Sequence, residues 1–445
     1  MKNNAKIINL IKAVIIIAAG IAIVTGLSRL LLLKSEDGIS QFQAFYKQPE
    51  NSVDVIFAGS SKVYIDVSTG VLWENHGIAA FDLGGAEAPS WVSYYDLKEA
   101  LKTQRPKVIC YEVSVAAMYD MLTQADNWAS DNNFAMKWNS NRIDQLRINS
   151  TEEEFYERLI PLNIMHTRYK ELTENDFTNV NNSVNYKGFD PRETITDDEF
   201  EDMSSVTDTE PCTEKEEEYI RKIIQLGKEE GIPVLLFASP YMASEGEAQI
   251  INYVGEIARS EGADFIDFNK NYSDFGMDFA LDMADSGHLN QTGNYKFSDY
   301  FGSILKDRYG VPDRRGDDNY RSWDTDALIH RNERIDSQIR QCETAAEILT
   351  LTDNSFLVFA INNDKAVIFE NNNVVDSKML NEEGNPPFRM SYENGKDAFV
   401  FTEKNDKGKR TVSLFINDRE YENDFGNIIY VYDTVTREFV RALNF

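Results

Sequence analysis

From residue 53 the chain alternates short, nearly continuous apolar runs with longer stretches of helical spacing. VDVIFAG (53–59), IAAFDLGG (78–85), KVICYEVS (107–114), IPVLLFASP (232–240) and ADFIDFN (263–269) read as strands by their β-branched and aromatic content. The run at 232–240 lacks polar alternation, the pattern of a strand covered on both faces. SWVSYYDLKEALKTQ (90–104) has helical spacing and stops before Arg105-Pro106. TEKEEEYIRKIIQLGKEEG (213–231) opens on a capping box of Thr213 and Glu216 and closes on Gly231. EAQIINYVGEIARSEG (247–262) and QTGNYKFSDYFGSILKDRYG (291–310) are further helices, the second with apolar residues at three- and four-residue intervals. Strands alternating with helices imply a parallel sheet with right-handed crossovers, an α/β domain over residues 36–312.

An insertion over residues 116–212 interrupts this alternation. Its first part is aromatic and helical in pattern, as in STEEEFYERLIPL (150–162). Its second part, DPRETITDDEFEDMSSVTDTEPC (190–212), is acidic and poor in apolar residues, and is expected to be a mobile loop. After the α/β region comes a linker with a polar helical piece, 313–348. From 349 to 445 the texture changes to short β-rich runs broken by Asn, Asp and Gly, such as SFLVFAINN (355–363) and RTVSLFIND (410–418). That predicts a separate, mostly β accessory domain. No internal repeat is evident.

The strongest apolar segment is N-terminal. IINLIKAVIIIAAGIAIVTGLSRLLLL (7–33) has Lys12 near its start and Arg29 near its end. Both cations can snorkel to the interfaces, giving a span of roughly 20 residues, enough for a bilayer. Lys2, Lys6 and Lys12 lie at the leading side, which favours a cytoplasmic N-terminus and an extracytoplasmic bulk. A cleaved signal peptide is the competing reading, but its apolar core is usually shorter and no small-x-small site follows Leu33. Residues 1–35 are therefore expected to be a cytoplasmic stub and a single-pass anchor in the cell membrane.

Composition narrows the function. The chain has 445 residues, 42% hydrophobic, and a net charge of −29. Such a balance argues against a nucleic-acid binder, which needs clustered Lys and Arg. Cys110, Cys212 and Cys342 are far apart and odd in number, so neither a disulfide framework nor a zinc spacing is readable. Cys110, in an apolar run, is read as a small core residue.

The candidate chemistry gathers at the carboxyl ends of the strands, where a parallel sheet carries its functional loops. Ser61 lies just past the first strand, beside Gly59-Ser60, where a glycine lets the backbone turn sharply. A serine nucleophile needs a base. Of the four histidines, His76, His166, His288 and His330, His288 lies in DMADSGHLNQTG (282–293), between the last strand and the closing helix. Asp285, three residues earlier, is placed to orient the ring in a tight turn. A surface turn with Asn290 as helix N-cap is the plainer reading, and the two are compatible. FDLGGAEAP (81–89) brings Gly84 and Gly85 to the end of the second strand, as oxyanion donors or as an ordinary turn. Trp91, Tyr94 and Tyr95 either line a sugar cleft or, at helical spacing, belong to the core.

These blocks and their order resemble the SGNH/GDSL hydrolase family. GSS stands where that family has Gly-Asp-Ser, which selects Ser61 over Ser60. DLGG resembles the block with the oxyanion glycine, and DSGHLN the final Asp-x-x-His block. The match covers roughly residues 52–310. It implies a flavodoxin-like SGNH parallel sheet flanked by helices, with Ser61 as nucleophile, His288 as base and Asp285 orienting it. The Ser61 N–H, Gly84 and Gly85 would serve the oxyanion, and neither cofactor nor metal is called for. One departure stands out: the family's Gly-x-Asn-Asp block after the third strand is replaced by CYEVSV (110–115), which has no asparagine and carries Glu112. An ionised carboxylate there would not stabilise an oxyanion.

The chain is more similar to the membrane-anchored branch that acts in O-acylation of surface polymers, such as alginate-acetylation and teichoic-acid D-alanylation factors. That resemblance implies a surface polysaccharide as substrate, an acyl group, acetyl by expectation, and a multipass membrane-bound O-acyltransferase as partner. MHTRYKEL (165–172) is similar to His-x-Arg segments in the insertions of anchored relatives, which implies substrate binding by His166 and Arg168. The plainer reading is a solvated helix, with His166 and Lys170 on one face. The C-terminal GNIIYVYDTVTREFVRALNF (426–445) distantly resembles an interleukin-like, or GG, domain seen beside glycan-active modules. Two functional readings stand: serine-dependent acyl transfer or ester hydrolysis, and a non-catalytic anchored scaffold that presents polymer to the acyltransferase.

Overall fold

The computed structural model describes residues 2–32, 38–118, 132–134, 136–178, 186–352, 355–380, 387–395 and 397–445. The expected end of the anchor at Leu33, the boundary at 35 and two stretches of the insertion, 119–131 and 179–185, lie outside them. The chain divides into two compact units, Met1–Ala327 and Leu328–Phe445.

In the first unit, β1 (Val55–Gly59), β2 (Ala80–Gly84), β3 (Val108–Glu112), β4 (Val234–Ala238) and β5 (Asp264–Asp267) form one parallel sheet. The order is β2-β1-β3-β4-β5. The chain leaves β1 toward one edge and returns through β3 toward the other. This reversal opens a crevice at the carboxyl ends of β1 and β3. Every residue of β1 to β4 is buried, because helices cover both faces and no strand needs a polar side.

The helices used below are α1 (Lys2–Leu31), α2 (Ser61–Asp66), α3 (Thr69–His76), α4 (Ser90–Ala100), α5 (Glu214–Glu230), α6 (Glu245–Glu261) and α7 (Gln291–Tyr309). Helix α4 packs on α5 and α5 on α6, while α3 packs on α7. Phe57 and Phe237 of the sheet meet Phe301 of α7 edge to face, 5.4 and 5.0 Å between ring centres. Helix α5 begins and ends as its sequence predicts, with one difference. Thr213 accepts from Glu216 N and Gly231 closes the helix in the left-handed conformation. The Glu216 carboxylate, however, does not complete a box. It turns to accept from the N–H and hydroxyl of Ser90 at the start of α4.

The acidic stretch 190–212 has no helix or strand, as expected, but it is not a loose loop. Asp190 N–H donates to Tyr64 O (2.6 Å), Thr196 N–H to Met283 O (3.0 Å) and Glu210 N–H to Gln249 O (3.2 Å). Phe200 stacks on Phe279 with ring centres 3.8 Å apart. Backbone bonds and one half-buried aromatic hold a segment whose side chains alone suggested mobility. In α1, the stretch Lys6–Leu31 has a mean hydropathy of 2.6 over its apolar window, none of it buried within the protein. It is long and apolar enough to cross a membrane.

The second unit is a two-sheet sandwich. One sheet joins β6 (Phe356–Ile361), β7 (Lys365–Glu370), β8 (Asn373–Met379), β13 (Ile428–Asp433) and β14 (Glu438–Asn444) in the order β14-β13-β6-β7-β8. The other joins β9 (Arg389–Glu393), β10 (Ala398–Asp406), β11 (Lys409–Ile416) and β12 (Arg419–Asp424). Every pairing is antiparallel. Phe359, Phe399, Phe401 and Tyr430 fill the space between the sheets, and Ile335, Ile339 and Ile348 cover the outer face of β6 and β13.

Candidate active site

Strand β1 ends on Gly59 at φ +152°, a conformation that L side chains rarely adopt. A Cβ there would stand 2.9 Å from Glu112 Cβ and from Val63 Cγ2, so only glycine lets the chain pass β3 and enter α2. Ser60 then precedes α2 in extended conformation and Ser61 is its first residue. This sharp strand-to-helix turn brings the Ser61 hydroxyl to the carboxyl rim of the sheet.

Across the rim, Ser61 Oγ lies 2.8 Å from His288 Nε2. His288 Nδ1 lies 3.0 and 3.1 Å from the two oxygens of Asp285. Three residues from opposite ends of the domain thus form a serine–imidazole–carboxylate relay. A carboxylate only accepts, so Nδ1 carries the proton and Nε2 presents its lone pair to the serine. Burial works against the charge of Asp285, but His288, the Gly287 N–H and Lys62 overcome it and hold its carboxyl down at about 2.

The turn that carries His288 is tied down on several sides. Within it, Ala284 N–H donates to His288 O (2.8 Å). From α2, Asp66 Oδ1 accepts from Leu289 N–H (2.8 Å) and Lys62 Nζ donates to Gly287 O. From the loop after β4, Met242 N–H donates to Ser286 O (2.9 Å), and Ser239 Oγ donates to the other oxygen of Asp66 (2.8 Å). The α2 residues Lys62 and Asp66 are four apart and face the same way, a helical spacing visible in the sequence but not read there as part of the site. Lys62 is only 2% exposed, with its ammonium 3.9 Å from the centre of the Tyr241 ring. Burial pushes its pKa down, against the pull of Asp66, Glu112, Asp285 and Glu247. Burial pushes the carboxyls of Asp66 and Glu112 up, against the opposing charge of Lys62.

The remaining sequence candidates fall in three places. Gly84 lies beneath the serine turn, where a Cβ would stand 2.8 Å from Ser60 O. Gly85 N–H donates to Gly59 O at 3.2 Å, so it is engaged by the neighbouring strand end and is not free for the oxyanion role the sequence suggested. At the end of β3, Glu112 accepts from Ser114 and from Ser239 N–H (3.3 Å), so the position expected for an asparagine holds a buried carboxyl. An asparagine does reach the glycine turn, from the insertion: Asn132 Nδ2 donates to Ala86 O (2.8 Å), and its Oδ1 fills the space beside Gly85. Its distance in sequence from β3 hid it. His166 and Arg168 are both on the short helix His166–Lys170. Arg168 donates to Leu30 O, Leu32 O and Asp176 Oδ1, and His166 Nδ1 pairs with Asn163 O, so neither contact set includes the triad. Trp91 packs with Ala88, Val92 and Tyr219, with Tyr94 and Tyr95 against that cluster: a core role.

No family model matches the chain, and no curated protein does. Two of the solved structures that are similar to it follow. One is a presumptive acylhydrolase from Bacteroides fragilis, 11% identical, aligned over 60% of this chain and 94% of that one with a TM-score of 0.31. The other is a gut microbial diltiazem-metabolizing enzyme, 11% identical, aligned over 80% of this chain and 58% of that one with a TM-score of 0.25.

Proposed function

We propose that the chain is a membrane-anchored serine acyl-transfer enzyme that works outside the cell membrane on O-acyl groups of a surface polysaccharide. The observation that carries this reading is the hydroxyl of Ser61 at 2.8 Å from His288 Nε2, with Asp285 on the other ring nitrogen. As Ser61 Oγ bonds to an ester carbonyl carbon, its proton passes to His288 Nε2. The resulting imidazolium is stabilised by the ionised Asp285. The carbonyl oxygen, now an oxyanion, is met by the Ser61 N–H, with Gly84 and Gly85 shaping the turn beside it. Collapse breaks the bond to the leaving alkoxide, which takes the proton from His288, and leaves an acyl-serine. A second hydroxyl repeats the steps in reverse order. Water as acceptor gives ester hydrolysis; a sugar hydroxyl gives transfer.

The location is supported by α1 and the cations ahead of it, and the polymer and the multipass O-acyltransferase partner are suggested by the resemblance of the GSS, DLGG and DSGHLN blocks. The test uses the full chain in detergent, with a serine-reactive fluorophosphonate and acetylated glycans. Ser61→Ala is expected to lose both labelling and acetate release. Labelling that persists unchanged in Ser61→Ala removes the proposal.

The buried Glu112 in place of an asparagine donor favours the second reading, an anchored scaffold. Under it, polymer acylation falls on deletion of the chain yet survives in Ser61→Ala and His288→Ala.

A further inference from the structure

We infer that the insertion segment 152–178 is a membrane-seated foot, its exposed aromatic side chains lodged at the boundary between lipid headgroups and acyl chains. The inference rests on the anchored reading of α1 and adds to it a second lipid contact.

Two observations locate the segment. Lys12 and Arg29 are 17 residues apart on one helix, a rise of about 26 Å, so their snorkelled cations can reach the two surfaces of a bilayer core. Arg29 then marks the outer boundary. Just past it, Leu30 and Leu32 offer carbonyls at the helix end, and both accept from the Arg168 guanidinium at 3.5 and 3.3 Å. A cation at a helix C-terminus complements the dipole and satisfies carbonyls that have no partner within the helix. Arg168 also pairs with the buried Asp176 at 2.6 Å, and Asp176 accepts from Thr173 N–H and Oγ1. The helices Pro161–Met165, His166–Lys170 and Glu174–Thr178 all pack against α1. The segment is therefore held at the level of Arg29, about one helical turn beyond it.

At that level the segment exposes large apolar side chains: Ile160 at 40%, Tyr169 at 62% and Phe177 at 69%. Scattered singly over a soluble surface they would call for no explanation. Gathered around the end of a bilayer-spanning helix, they stand where Tyr and other amphipathic rings gain by burying a ring and wetting its edge. The charge of the segment selects the surface. Glu152, Glu153, Glu157, Glu171 and Glu174 are exposed and outweigh the exposed Lys170, so an anionic headgroup layer is disfavoured and the seat is apolar burial in a zwitterionic one.

The test places the full chain in phosphatidylcholine nanodiscs. Cys342 is replaced by Ser, the buried Cys110 and Cys212 are kept, and one nitroxide is attached at Ile16→Cys, Tyr169→Cys, Phe177→Cys or Glu245→Cys. Collision rates with oxygen and with a neutral nickel chelate report depth. Position 16 is expected in the acyl core and position 245, exposed on α6, in water. Positions 169 and 177 are expected to show a several-fold lower nickel collision rate than 245. Nickel access at 169 and 177 equal to that at 245, with 16 in lipid, overturns the foot and leaves the anchor standing. Aqueous behaviour at 16 removes the anchor and the foot together.

Discussion

Lys62 donates from its ammonium to the carbonyl oxygen of Gly287, the residue immediately before the imidazole that faces the neighbouring Ser61. One turn of α2 thus carries the Ser61 hydroxyl and also holds the loop of the imidazole that faces it. Lys62→Met keeps most of the unbranched side chain and removes this tether. The expected result is a fall in kcat on the order of tenfold to a hundredfold, the scale of a small misplacement of reacting groups. KM should change little, and Lys62→Arg should recover part of the loss. Steady-state ester hydrolysis beside thermal melts separates this from unfolding.

Asp285→Asn tests the tautomer. An amide donates where the carboxylate accepts, so the proton moves to Nε2 and the lone pair facing Ser61 is lost. A fall in kcat on the order of 10³–10⁴ is expected, with the fold intact. Linkage gives a second readout. The Asp285 carboxyl is held below its ordinary value of 3.8, at about 2, so its stabilising contribution is complete above pH 3.8 and disappears as pH falls through about 2. Denaturant melts of the native and Asp285→Asn proteins should therefore differ by a constant amount at neutral pH and converge toward pH 2.

Gly59→Ala sets a methyl group 2.9 Å from Glu112 Cβ and Val63 Cγ2 in a backbone conformation that alanine resists. The combined crowding and strain should destabilise the protein by about 2–4 kcal/mol. Phosphonate labelling of the folded fraction should also slow, because relief of the clash shifts Ser61. Labelling at the native rate in a stably folded Gly59→Ala protein would show that the turn is not needed to place the hydroxyl.

Glu216, on α5, is fully buried against Ser90 of α4, and burial, only partly offset by Ser90 and Lys215, raises its pKa to about 7 from 4.5. Between those values the folded state keeps a proton that the unfolded state has released, so stability falls as pH rises from 4.5 to about 7. The contribution is on the order of 3 kcal/mol at 1.36 kcal/mol per pKa unit. Glu216→Gln should flatten the pH dependence of the melting midpoint in that window.

The five strands of the first unit and the helices at 90–104, 213–231, 247–262 and 291–310 were legible along the chain, because burial on both faces of a parallel sheet leaves unbroken apolar runs and helix caps are local events. The β texture after 349 was legible for the same reason: alternation and turn residues act over a few positions. Glu216 shows the limit. Its spacing from Thr213 predicted a capping box, yet a neighbouring helix N-terminus drew the carboxylate away. The stretch 190–212 shows it again, since backbone hydrogen bonds to Tyr64, Met283 and Gln249 leave no mark on composition.

By itself the sequence implied that a serine after β1 and an Asp-x-x-His ahead of α7 share the carboxyl edge of one sheet, since strands alternating with helices imply a parallel sheet whose loops gather at that edge. Only the tertiary structure decided that the hydroxyl and imidazole stand 2.8 Å apart, that Lys62 and Asp66 grip the histidine loop, and that Arg168 is committed to the end of α1. Those contacts join residues more than a hundred positions apart in most cases. Their partners are chosen by how buried charges and unpaired backbone groups find compensation in three dimensions, which periodicity along a chain does not record.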